Sequence, residues 1–120
     1  MSPRRLKRGS VVLVRYPFTD LTTAKVRPAV VLSPEPFLSR GDDVVLLFIS
    51  SVIPPDPLPS DFVLTPEHPA FAATGLKYPS VFRGHKLTVL HKSLVQRVLE
   101  ELDAELLARL NACLKIALGL

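Results

Sequence analysis

The chain has 120 residues, enough for one domain with a substantial core, and 48% of them are hydrophobic against 22% charged. That balance excludes a disordered chain. Lys and Arg number 15 and Asp and Glu 11, giving +4; such an excess permits a polyanion partner without requiring one. The distribution says more than the total. Arg4, Arg5, Lys7 and Arg8 make residues 1–8 a basic tail, and Arg15, Lys25, Arg27, Lys77, Arg83 and Lys86 recur later. The acids gather elsewhere, at Asp42, Asp43, Asp56 and Asp61, then at Glu100, Glu101, Asp103 and Glu105. Cys113 is the only cysteine. It excludes an internal disulfide and a thiolate zinc cluster, suits a reducing cytoplasm, and in its apolar setting reads as a core residue. The longest apolar run, Val44 to Ile49, falls far short of the ~20 residues that span a bilayer. Val11 to Val14 is cut off by Arg15, too soon for a signal peptide. A cytoplasmic protein with no membrane partner is expected.

Val11-Val12-Leu13-Val14-Arg15-Tyr16 is β-branched and aromatic, follows Gly9 and stops at Pro17, as a first strand would. A polar loop from Thr19 to Lys25 leads to a second strand over Arg27-Pro28-Ala29-Val30-Val31-Leu32-Ser33, closed by Pro34 and Pro36. Pro28 has no N–H for a ladder and belongs at the strand's start or on an edge. After a turn at Gly41-Asp42-Asp43, Val44 to Ile49 is apolar at successive positions, as a central strand covered on both faces would be. Pro54-Pro55-Asp56-Pro57-Leu58-Pro59 reads as a stiff surface loop, followed by a short strand at Phe62-Val63-Leu64. Thr65 to Pro79 reads as irregular, with a turn near Thr74-Gly75. Ser80 to Leu90 is a long strand in which Gly84 marks a bulge or a close backbone approach. Leu94 to Leu99 is the last strand. From Asp103, a good N-cap, the period changes: Leu106, Leu107, Leu110, Leu114, Ala117 and Leu118 recur at helical steps, with Gly119 as the stop. The expectation is a mainly β domain over residues 1–120, a barrel-like sheet closed by a C-terminal helix over 103–118.

The usual catalytic signatures are absent: no Walker A loop, no dinucleotide fingerprint, no G-x-S-x-G, no H-E-x-x-H. His68 reads as a loop residue and His91 as solvated; neither they nor His85 has metal-ligand spacing, so no metal or cofactor is expected. His85 stands out for sharing a strand with Arg83 and Lys86. Two segments remain. Arg27 puts a permanent cation at the mouth of a buried strand, and Ser50-Ser51 puts hydroxyls at the end of another. Brought together, guanidinium and hydroxyl suit a phosphate. Taken singly, the same residues also read as a snorkelling arginine and turn-forming serines.

Gly9-Ser10-Val11-Val12-Leu13-Val14, Tyr16-Pro17-Phe18-Thr19-Asp20-Leu21, Lys25-Val26-Arg27-Pro28-Ala29-Val30-Val31-Leu32-Ser33 and Phe48-Ile49-Ser50-Ser51 occur in that order. With Gly75-Leu76-Lys77-Tyr78-Pro79-Ser80-Val81 and Lys86-Leu87-Thr88-Val89-Leu90, they resemble successive blocks of the MazF/PemK growth-inhibitor family. The Arg-Pro-Ala-Val-Val-Leu-Ser block is the most specific of them. The resemblance implies a homodimer of SH3-like barrels: a type II toxin that cuts single-stranded RNA at short motifs, without metal, and is blocked by a cognate antitoxin. The family's catalytic arginine falls on Arg27 and its catalytic hydroxyl, usually threonine, on Ser50. Arg15, Thr19, Lys25, Ser51, Arg83, His85 and Lys86 become the candidate RNA-binding residues, with the general base unassigned. His85-Lys86 stands where better-known members read bases with an acid and a glutamine, so the RNA motif does not carry over. Two competing expectations are a CcdB-like toxin on the same fold that poisons DNA gyrase without cleaving anything, and a non-catalytic nucleic-acid-binding barrel. The gyrase poison does not need an Arg27–Ser50 pair. The binding barrel calls for exposed aromatics, of which two Tyr, six Phe and no Trp leave few.

Overall fold

The computed structural model describes residues 5–17 and 24–120. Six strands, β1 (Ser10–Pro17), β2 (Ala24–Val31), β3 (Asp43–Ser50), β4 (Asp61–Leu64), β5 (Ser80–His91) and β6 (Val95–Glu101), form one sheet in the order β4-β5-β3-β2-β1-β6. Every neighbouring pair is antiparallel. A one-turn helix, α1 (Phe37–Arg40), follows β2, and a long helix, α2 (Ala104–Leu118), ends the chain. This is the expected mainly β domain with a C-terminal helix, an SH3-like barrel.

Side chains alternate across a strand, and here both faces find a core. Val11, Val30, Leu47 and Ile49 point to one side, where Leu106, Leu110 and Leu114 of α2 meet them. Val12, Val14, Ala29, Val31, Val44 and Leu46 point to the other, under Leu38 of α1. The run in β3 is apolar at every step because both of its faces are covered. Full burial of such a Leu or Val is worth roughly 1.5–3 kcal/mol.

The ends of α2 follow the sequence. The Asp103 carboxylate accepts the Leu106 N–H at 2.8 Å, and Gly119 adopts φ 70. Gly119 N–H donates to the Ile116 carbonyl and Leu120 N–H to that of Lys115, the paired bonds of a Schellman stop. Cys113 is buried in the core beneath this helix. Burial pushes its thiol pKa up; Arg109 opposes that and Asp61 adds to it.

At Gly84 the structure gives the expected irregularity a definite form. Leu47 pairs with Leu87 and Ile49 with Phe82, so Phe48 alone faces the stretch Arg83 to Lys86 of β5. This bulge bends the sheet. Gly84 N–H donates to the Ser60 carbonyl at 2.9 Å, and a Cβ on Gly84 would stand 2.5 Å from that oxygen. Only glycine fits there.

Several expectations need correcting. The second strand starts at Ala24, not Arg27, because Lys25 and Val26 pair with Tyr16 and Arg15; Arg27 therefore lies within the strand, not at its mouth. α1 falls between Pro36 and the turn at Gly41, in a stretch for which no element is expected. The last strand starts at Val95, after a 3-10 turn over Lys92–Leu94, and runs to Glu101. Of the basic tail, Lys7 reaches Glu101 at 3.0 Å and Arg8 donates to Asn111 at 2.6 Å, so its end is docked on the domain. Thr19 lies outside the described residues.

Candidate active site

β2 meets β3 only from Ala29 onward, through Ala29–Phe48, Val30–Leu47 and Val31–Leu46. At Arg27 and Pro28 the strand has β1 on one side and no ladder to β3 on the other. That open stretch tolerates a proline. It also leaves a gap between the start of β2 and the end of β3, and Arg27 lies exposed along it.

The gap opens into a hollow of about 360 Å³ lined by Tyr16, Arg27, Phe48, Ile49, Ser50, Val52, Arg83 and Lys86. Arg27 and Ser50, distant in sequence, share its wall. Tyr16 and Phe48 stand edge to face, with ring centroids 4.9 Å apart, and form an aromatic side. The β5 bulge supplies Arg83 and Lys86. Three cations line the hollow, and among the described lining residues there is no carboxylate. Such a wall is complementary to an anion.

The Ser50 hydroxyl accepts the Val52 N–H at 3.0 Å, while its own contact to the Val52 carbonyl is long, 3.5 Å. The first bond fixes the oxygen, and the second, a donation at the limit of hydrogen-bond length, is readily given up for a closer acceptor. Ser51 lines a different hollow, of about 650 Å³, with Pro28, Lys77, Tyr78 and Arg97; Arg27 and Ile49 border both. Alternation at the end of β3 thus separates the two serines.

The other candidates divide. Arg83 and Lys86 join Arg27 and Ser50. His85 does not line the hollow: its Nδ1 sits 3.4 Å from Ser60 Oγ and 3.6 Å from Asp61 Oδ1. Arg15 and Lys25 are exposed on β1 and β2 and line neither hollow. Asp61 is the residue the sequence reading missed, having counted it only among the acids. Its buried carboxylate lies 3.4 Å from the Arg83 guanidinium, a pairing set by the β4–β5 register and invisible without it. Among the described residues, no group of His, Cys, Asp and Glu is placed to hold a metal ion.

Solved structures share this architecture. A mycobacterial endoribonuclease in complex with its cognate antitoxin superposes with TM-score 0.75 at 18% identity, over 96% of each chain. A MazE–MazF structure from Deinococcus radiodurans gives 0.75 at 21% identity, over 98% of each. The Mycobacterium tuberculosis toxin MazF-mt6 gives 0.73 at 19% identity, over 92% of this chain and 97% of that one. At such identities the likeness shows the fold. No curated protein sequence matches the chain. The sequence profile of the PemK-like, MazF-like toxins of type II toxin–antitoxin systems, however, matches residues 7–118, nearly its whole length, and the chain belongs to that family.

Proposed function

We propose that this toxin is an endoribonuclease that cuts single-stranded RNA by way of the RNA's own 2′-hydroxyl, with Arg27 and Ser50 as its catalytic residues. The observation that carries this reading is the shared hollow: Arg27, Ser50, Arg83 and Lys86 line one anion-complementary space. The 2′-oxygen attacks the adjacent phosphorus and the bond from phosphorus to the 5′-oxygen breaks. The 2′-hydroxyl gives up its proton and the leaving oxygen gains one. The products are a 2′,3′-cyclic phosphate and a 5′-hydroxyl. Because the substrate brings its nucleophile, the protein has to align it and neutralise charge growing on the phosphoryl oxygens. Arg27, a permanently charged fork, serves as the clamp and as a hydrogen-bond donor. Ser50, held by the Val52 N–H, serves as a donor to the phosphate or to the attacking oxygen. Arg83 and Lys86 hold the polynucleotide; Arg15, Thr19, Lys25, Ser51 and His85 belong to its wider path. The reading includes a cytoplasmic homodimer neutralised by an antitoxin. It draws support from the family and from relatives described as an endoribonuclease with its cognate antitoxin and as MazE–MazF.

The test is to incubate the purified protein with a long RNA in excess EDTA and map the cut ends. Cleavage leaving cyclic phosphate and 5′-hydroxyl ends is expected. Cleavage that requires added magnesium, or that leaves 5′-phosphates, would overturn the mechanism. Intact RNA together with inhibited DNA gyrase would favour the non-catalytic alternative.

A further inference from the structure

The ion pair between β4 and β5 lies behind the hollow, and the mechanism above makes no use of its acid. Asp61 opens β4 opposite Arg83. Its side chain is 0% exposed, whereas that of Arg83 keeps 24%. A carboxylate taken wholly out of water persists only where cations and N–H groups compensate it. Asp61 accepts the Leu58 N–H at 2.9 Å and lies 3.4 Å from both Nε and Nη2 of Arg83. These two contacts use the side edge of the guanidinium. A guanidinium has five N–H groups in one plane, so the end edge, carried by Nη1 and the second hydrogen of Nη2, is turned away from Asp61. Arg83 itself lines the hollow beside Arg27, Ser50 and Lys86. Just past Arg83, the bond from Gly84 N–H to the Ser60 carbonyl ties β5 to the start of β4. Both partners of the ion pair therefore stand on anchored backbone.

We propose that Asp61 is a positioning residue: it holds Arg83 by its side edge so that the end edge forms a second, preset clamp for a phosphodiester oxygen, in the same hollow as Arg27. Holding the guanidinium in the folded protein reduces the side-chain freedom lost when the polynucleotide binds. The inference rests on the reading of the hollow as a polynucleotide site. His85, also close to Asp61, shares the acid without lining the hollow.

The experiment compares Asp61→Asn, Arg83→Ala, Arg83→Lys and the double variant Asp61→Asn/Arg83→Ala, each checked for folding by circular dichroism. Single-turnover cleavage, kcat and KM are measured on RNA. Side-chain Nε–H resonances of ¹⁵N-arginine are followed as non-cleavable 2′-O-methyl RNA is added. Asp61→Asn should lower the cleavage rate on the order of 10²-fold, the scale of an ångström's misplacement, and mostly through kcat. It should add nothing in the Arg83→Ala background. The Arg83 Nε–H signal should respond to the RNA in the wild type and not in Asp61→Asn. Wild-type rates in folded Asp61→Asn, or an equal loss with and without Arg83, would overturn the proposal. If Asp61→Asn does not fold, Arg83→Lys, which keeps the charge and loses the fork, decides: a similar loss supports the clamp and a wild-type rate removes it. Should the wild type cut no RNA, the ribonuclease reading fails. The Nε–H response then judges the clamp alone: a shift lost in Asp61→Asn supports it, and no shift overturns it.

Discussion

At the scale of residues, Arg27 and Ser50 make separable demands. Arg27 is exposed and pairs through its backbone with Val14, so its side chain adds little to the fold. Arg27→Ala should abolish RNA cleavage in a protein with an unchanged melting profile, and Arg27→Lys should be nearly as poor, because a point charge does not reproduce a fork. Near-normal cleavage by folded Arg27→Ala would remove it from the chemistry. Ser50 and Ser51 line different hollows, which sets a sharper test. Ser50→Ala should slow single-turnover cleavage by roughly 10²–10³-fold, the cost of one donor aimed at developing charge. Ser51→Ala should leave that rate within a small factor of wild type. Ser50→Thr should remain active, since it keeps the hydroxyl and narrows its rotamers. The reverse pattern in the two alanine variants would mean that Ser51 is the catalytic hydroxyl.

At the scale of elements, the β5 bulge makes the strongest demand on the sequence. A Cβ at position 84 would collide with the Ser60 carbonyl, a backbone atom that has no flexible end to swing away. Gly84→Ala should destabilise by about 1–3 kcal/mol, the range for overpacking a filled site, and its midpoint in urea should fall accordingly; an unshifted midpoint would mean that the strand relaxes freely there. What the sequence reveals at this scale follows from how local each cause is. α2 is legible because cap, period and terminal glycine lie within one segment and agree. β3 is legible because burial on two faces leaves an unbroken apolar run. The start of β2 is not, because Ala24-Lys25-Val26 carries little strand signal of its own and is held by its partners across the ladder. α1 is a single turn with no period to detect. Asp61 and Arg83 are 22 residues apart, and only strand register makes them neighbours. The Arg27–Ser50 pairing came from family resemblance, since each residue alone fits an ordinary surface or turn.

At the scale of the whole molecule, what matters is which of the cations lie at the hollow. Arg27, Arg83 and Lys86 line the hollow, whereas Lys115 is exposed on α2. Affinity for non-cleavable single-stranded RNA should fall linearly on a log–log plot against salt. Lys86→Ala should flatten that slope by about 0.7, the share of one phosphate contact on a single strand. Lys115→Ala should leave the slope unchanged. Equal flattening by both variants would mean that RNA attraction is spread over the surface and not focused at the hollow.

The bulge also gives β5 two kinds of sequence freedom. Along most of the strand each residue answers to a partner opposite, and inserting or deleting one would turn every later side chain to the wrong face. On the β3 side Arg83 to Lys86 answer together to Phe48 alone. On the β4 side the ladder ends with Arg83 opposite Asp61, so the stretch just past Arg83 is released from one-for-one matching. With Arg83 held by the Asp61 ion pair and Gly84 fixed against the Ser60 carbonyl, the side chains at 85 and 86 carry the sequence freedom. The barrel thereby keeps a short cassette beside the hollow whose side chains can change without disturbing the strand register on either side of it.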